Sequence, residues 1–138
     1  MTQATPNDLA GVESPMTFLR QQAALLAKET GGLVEAEVTG TAEVTGFASQ
    51  LLSAGSDEPV IVLAFVLRAP ALADYRYALF RAYHAVDQVY PLVSRFNGNE
   101  ILIASPEKLA EHLRSIFSAN DTRNILSTLI AQSKAMAS

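Results

Sequence analysis

An α+β fold is what this chain predicts: an N-terminal helix, an antiparallel sheet of five or six strands and two C-terminal helices around one core. Three observations carry that prediction. Val60 to Leu67 is an unbroken apolar run, VIVLAFVL, held to strand length by Pro59 before it and Ala69-Pro70 after it. Ser14-Pro15 and Ser105-Pro106 each offer a capping hydroxyl followed by a proline at the first helical position, where its missing N–H costs nothing. Asn97-Gly98 separates two short apolar segments and is the strongest two-residue hairpin signal in the chain.

The elements follow in order. Met1 to Glu13 mixes Thr, Gln, Pro, Asn, Asp and Gly without a period and reads as a disordered N-terminal tail (residues 1–13). A single α+β domain is expected over residues 14–136. Leu19, Ala23 and Leu26, joined by Phe18, Gln22 and Leu25, form a helical stripe that Gly31-Gly32 ends. Leu33 to Thr39 alternates, with Val34, Ala36 and Val38 facing one way and Glu35 and Glu37 the other, as a strand with one wet face does. Gly40 is expected to break that phase. Ala42 to Leu52 suits a further strand through Val44, Thr45, Phe47 and Leu51, and the polar stretch Ala54 to Pro59 turns the chain into the apolar run.

Pro70 to Val86 supports two patterns. As a strand from Tyr75 to His84 it sets Tyr75, Tyr77, Leu79, Arg81 and Tyr83 on one face; as a helix it has Pro70 near its start and Leu72, Leu79 and Val86 at heptad spacing. The extended pattern is favoured by Tyr-x-Tyr and by the following Tyr90-Pro91. Val89 to Phe96 and Glu100 to Ala104 then form the hairpin. Leu109, Leu113, Ile116 and Phe117 give the second helix a stripe up to about Ser118, and Ile125, Leu126, Leu129 and Ile130 give the third, capped by Asn120 or Asp121.

Composition limits function. The 138 residues are 49% apolar and 17% charged, a globular balance with core enough to need no staple. Cysteine is absent, which removes disulfides, thiolate metal sites and cysteine nucleophiles and agrees with a cytoplasmic setting. A net charge of −4 disfavours nucleic acid, which attracts clustered cations. The apolar run is far shorter than the roughly 20 residues of a membrane helix, and the N-terminus lacks the basic and apolar regions of a signal peptide.

No motif names a reaction. His84 and His112 belong to no metal-binding spacing, no serine lies in a G-x-S-x-G elbow, and the glycines form no phosphate loop, so no catalytic residue, cofactor or metal is expected. His112 is expected on the wet side of its helix. A ligand pocket could form from Arg76, His84 and Asp87, the carboxylate orienting the imidazole. Glu35, Glu37 and Glu43 read as a solvated strand face. The cationic and aromatic group Arg68, Tyr75, Arg76, Tyr77, Arg81, Tyr83, His84 and Arg95 concentrates the residue types that dominate interfaces, with Tyr75, Tyr77, Arg81 and Tyr83 as the expected partner-binding face. The opposed expectation is that the tyrosines line the core and the arginines pair with Glu35 or Asp87.

Because successive strand side chains point to opposite faces, the run Val60 to Leu67 needs cover on both. Three helices do not easily cover both faces of such a sheet. The sequence therefore predicts a non-catalytic protein–protein interaction module, a homodimer that packs sheet on sheet and binds another protein. If Pro70 to Val86 were helical instead, the order α-β-β-β-α-β-β-α, the small size and the low pI would resemble the secretion chaperones of bacterial type III systems. That resemblance implies a secretion-chaperone-like role. A small-ligand-binding protein or enzyme using the His84 region is the third expectation.

Overall fold

Ser14 and Ser105 both cap helices. In the computed structural model, which describes residues 14–44 and 58–137, the Ser14 hydroxyl accepts from the Thr17 N–H at 3.2 Å and opens α1, Pro15–Glu29. Ser105 accepts from the Lys108 N–H at 3.3 Å and opens α2, Pro106–Ser118. Gly31 and Gly32 end α1 with φ of 64° and 82°, and the Gly32 N–H returns to the Ala27 carbonyl at 2.8 Å. Helix α3 spans Asn120–Ala137. The proposed tail over residues 1–13, and Thr45 to Asp57 with most of the expected strand and turn there, lie outside the described residues.

Between the helices lie β1 (Glu35–Glu43), β2 (Val60–Ala69), β3 (Tyr75–Ala85), β4 (Leu92–Phe96) and β5 (Asn99–Ile103). They form an antiparallel five-stranded sheet in sequential order, so the fold class is α+β as the sequence predicts. β1 runs through Gly40 without losing register against β2. The expected break fails because the glycine is a packing site: a Cβ there would collide with the terminal methyl of Met16 on α1. Ala42 and Glu43 extend β1 rather than starting another strand. β4 starts at Leu92, later than expected, just beyond Tyr90-Pro91. Asn97 and Gly98 turn the hairpin with φ of 52° and 76°, the left-handed pair a type I′ turn requires.

Pro70–Leu72 is a single 3-10 turn, and Tyr75–Ala85 is a strand. A helix over Pro70 to Val86 is thereby excluded, and the element order on which the resemblance to secretion chaperones rested disappears with it. Burial against β2 decides between two periodicities that were both present.

The three described helices all pack on one face of the sheet. Leu63, Phe65, Leu67 and Ala69 of β2 join Leu19, Ala23 and Leu26 of α1, Leu113 and Ile116 of α2, and Leu129 of α3 in one buried cluster. Phe65 is its centre, stacked on Phe80 at 5.3 Å between ring centroids and met edge-on by Phe117 at 5.9 Å. Phe65→Ala should therefore destabilise the fold by about 3–5 kcal/mol, the range for a buried aromatic cut to alanine. Urea unfolding followed by circular dichroism measures it, and a cost under about 1 kcal/mol would mean that this stack is not the centre of the core.

Candidate interaction surface

The second face of the sheet carries the charges. In register across it, Glu35 lies opposite Arg68 and Arg68 opposite Arg76; Glu37 lies opposite Val66 and Val66 opposite Ala78. The next row is Thr39, Ala64, Arg81, Arg95 and Glu100, and the one after it Thr41, Val62, Tyr83, Val93 and Leu102. Among the described residues, no helix residue joins the buried cluster of Val60, Val62 and Tyr83 on this face. Ala64 and Val66 are half-buried, and Ala78 and Arg81 are exposed.

A bulge determines which residues reach this surface. Phe65 pairs with Phe80 but Val66 pairs with Ala78, so Leu79 is an extra residue and the alternation of β3 reverses there. Tyr75 and Tyr77 consequently share the helix-covered face with Leu67 and Ala69, while Arg76 and Ala78 join Arg81 and Tyr83 on the other. The four residues expected to form one partner-binding face are split in two. Tyr77 packs against the main core, Tyr75 is 46% exposed at its margin, Tyr83 is buried beside Val60 and Val62, and Arg81 alone of the four is an exposed residue of the open face. Strict alternation in the sequence could not reveal the reversal, because a bulge leaves no composition signal when the inserted residue is itself a leucine.

The arginines have sorted themselves. Arg68 donates to Glu35 at 2.5 Å and lies 3.7 Å from both Glu37 and Asp74, and Arg76 reaches Glu37 at 2.9 Å. The hydrogen bond that Arg68 donates to Glu35 is the main reason that the Arg68 pKa rises above its ordinary value, with desolvation opposing it. This network satisfies the pairing expected of Glu35 and forms a polar border at one end of the face. Arg95 lies 3.8 Å from Glu100. Arg81 stands directly opposite Arg95 and makes no ion pair with any described residue. Beside them a cleft of about 300 Å3 is lined by Ala78, Arg81, Tyr83, Arg95 and Asn97.

The expected ligand pocket does not assemble. Arg76 and His84 sit eight residues apart on β3, roughly 26 Å at a strand's rise, and on opposite faces of the sheet. The His84 ring bonds the carbonyl of the neighbouring Ala85 at 2.7 Å, and Asp87 is exposed beyond the end of the strand. Among the described residues no group of three His, Asp or Glu side chains could hold a metal ion. No described helix is long and apolar enough to cross a membrane.

His112 corrects a further expectation. It is 8% exposed, faces the sheet from α2, bonds the Ser94 hydroxyl through Nε2 at 2.7 Å and meets the Phe80 ring edge-on. Its position next to Leu113 and one turn from Leu109 and Ile116 would have shown this, since those residues define the inner side of the helix. Ser94 is fully buried, so the pair is a structural hydrogen bond that no substrate can reach. Burial lowers the His112 pKa from the ordinary 6.5. The unfolded chain then takes up a proton near that value while the folded chain resists it, so stability is complete above it and declines as the pH falls towards the folded pKa. Urea midpoints at pH 8 and pH 5 should differ in that direction, and His112→Gln should reduce the difference. An unchanged pH dependence in the variant would assign it elsewhere.

Comparison of the chain with protein families, with curated proteins and with solved structures finds no match.

Proposed function

We propose that this protein is a non-catalytic protein–protein interaction module that works as a homodimer, joined through the sheet face opposite its helices. The observation that supports the reading is that the described helices pack on one face of the sheet and leave Ala64 and Val66 half-buried on the other. On the far side of β2, Ala64 and Val66 stay half-buried and Ala78 exposed, an apolar strip bordered by the Arg68, Arg76, Glu35 and Glu37 network. An apolar centre with a polar rim is the anatomy of a protein interface.

Charge favours a second copy as the occupant. On this face β1 offers Glu35, Glu37 and Glu43 but no cation, whereas β3 on the other side of β2 offers Arg76 and Arg81. A two-fold axis running along β2 would bring the acidic strand of one copy over the basic strand of the other, twice, with Ala64 and Val66 meeting at the centre. A cytoplasmic location is part of the proposal and accords with the absence of cysteine.

Sedimentation equilibrium tests this. The wild type should run at twice the 14.8 kDa chain mass at micromolar concentration. Val66→Glu should shift it to the monomer with unchanged far-ultraviolet circular dichroism, because a carboxylate would be buried at the centre of the interface without a partner. A wild-type monomer at these concentrations sinks the reading.

A further inference from the structure

β3 is much longer than the strand beside it. β4 pairs with it only from Arg81 to Tyr83 and then turns away at Asn97-Gly98, so on that side Tyr75 to Phe80 has no strand neighbour among the described residues. Six residues of strand, roughly 20 Å, thus present backbone donors and acceptors along an open notch inside the sheet. Such an edge is the template on which an extended peptide adds as a further strand.

Two clefts bound this notch. At the Arg81 end lies the cleft of about 300 Å3 that Arg81 and Arg95 line. At the Tyr75 end lies another of about 330 Å3, walled by Leu72, Tyr75, Ile125 and Leu129. They differ in chemistry and lie on different faces, because Arg81 belongs to the open face and Tyr75 to the helix-covered one. A strand laid along Tyr75 to Phe80 would alternate its side chains between these two faces.

The cationic cleft decides what the peptide carries. Arg81 and Arg95 stand opposite each other across the strand pair, an arrangement that is repulsive by itself. Glu100 lies 3.8 Å from Arg95, on the side away from Arg81, and Arg81 itself makes no ion pair with a described residue. A carboxylate entering beside Arg81 would be gripped by guanidinium groups suited to paired hydrogen bonds.

We propose that the open edge of β3 binds an extended segment of another protein in which acidic and apolar residues alternate, its carboxylate at Arg81 and Arg95 and its apolar side chains towards Tyr75, Ile125 and Leu129. The proposal rests on the interaction-module reading but does not require dimerisation; because Arg81 and Ala78 also belong to the face through which two copies would join, the site is read in the Val66→Glu monomer as well as in the wild type.

The probe is a fluorescein-labelled eight-residue peptide of alternating valine and glutamate. Its controls are the valine and lysine counterpart and a backbone N-methylated form that cannot complete the ladder. Binding is read by anisotropy, and its site by amide hydrogen exchange. The valine and glutamate peptide should bind and slow exchange within Tyr75 to Phe80 at least tenfold, while both controls fail. Arg81→Gln should weaken binding about tenfold and Arg81→Glu further, and Arg20→Glu, an exposed change on α1, should leave it intact. Equal binding of the lysine peptide, or no slowing within Tyr75 to Phe80, overturns the proposal. So does slowing there that depends on protein concentration without peptide, because a second copy would then occupy the edge. The Val66→Glu monomer should still bind the peptide, so failure of the dimer and failure of this site are read separately.

Discussion

The three described helices pack on one face of a five-stranded sheet, and the chemistry of the described residues is organised by that placement. β2 is the strand that makes it consequential. Its inward residues Leu63, Phe65, Leu67 and Ala69 are fully buried under the helices, each large one contributing about 1.5–3 kcal/mol relative to exposure. Its other side is equally apolar in the sequence and joins no described helix: Val60 and Val62 are buried there beside Tyr83, while Ala64 and Val66 are half-buried. Among the described residues this strand meets helices on one side, and the functional proposal begins from Ala64 and Val66 on the other.

The bulge at Leu79 converts this layered arrangement into a chemically divided one. By reversing the alternation of β3 it turns Tyr75 and Tyr77 into the core margin and brings Arg76 into line with Arg81 on the open face. The charged side chains thereby collect on the uncovered surface, where Glu35 and Glu37 meet Arg68 and Arg76 across strands. These pairs are partly exposed and screened by water, so they orient the surface more than they stabilise it. The early end of β4 is the second irregularity with consequences. Among the described residues it leaves Tyr75 to Phe80 of β3 without a strand partner on that side, between an apolar cleft and a cationic one.

The buried polar contact between α2 and β4 follows the opposite logic. Ser94 and His112 satisfy each other where β4 meets α2, and their burial makes the imidazole a resident of the core. Histidine here is a packing element with a titration attached. The same residue type at position 84 bonds only its own strand, which is why the two histidines of this chain do not converge on a site.

Local chemistry in the sequence determined the capped starts of α1 and α2, the glycine stop of α1, the Asn97-Gly98 turn and the strand nature of Val60 to Leu67. Each depends on a few adjacent residues whose preferred dihedrals or missing donors act without distant partners. The α+β class followed from their order. The sequence favoured a strand from Tyr75 through Tyr-x-Tyr and Tyr90-Pro91, and pairing with β2 settled it as Tyr75 to Ala85 against the helical periodicity that was also present. Tertiary structure alone decided which residues share the candidate surface, since one extra leucine in the ladder reverses a face without altering the pattern of residue types. The inward turn of His112 was decided in the same way: its polarity suggested water, and a buried serine on another strand supplied the hydrogen bond that water would have made.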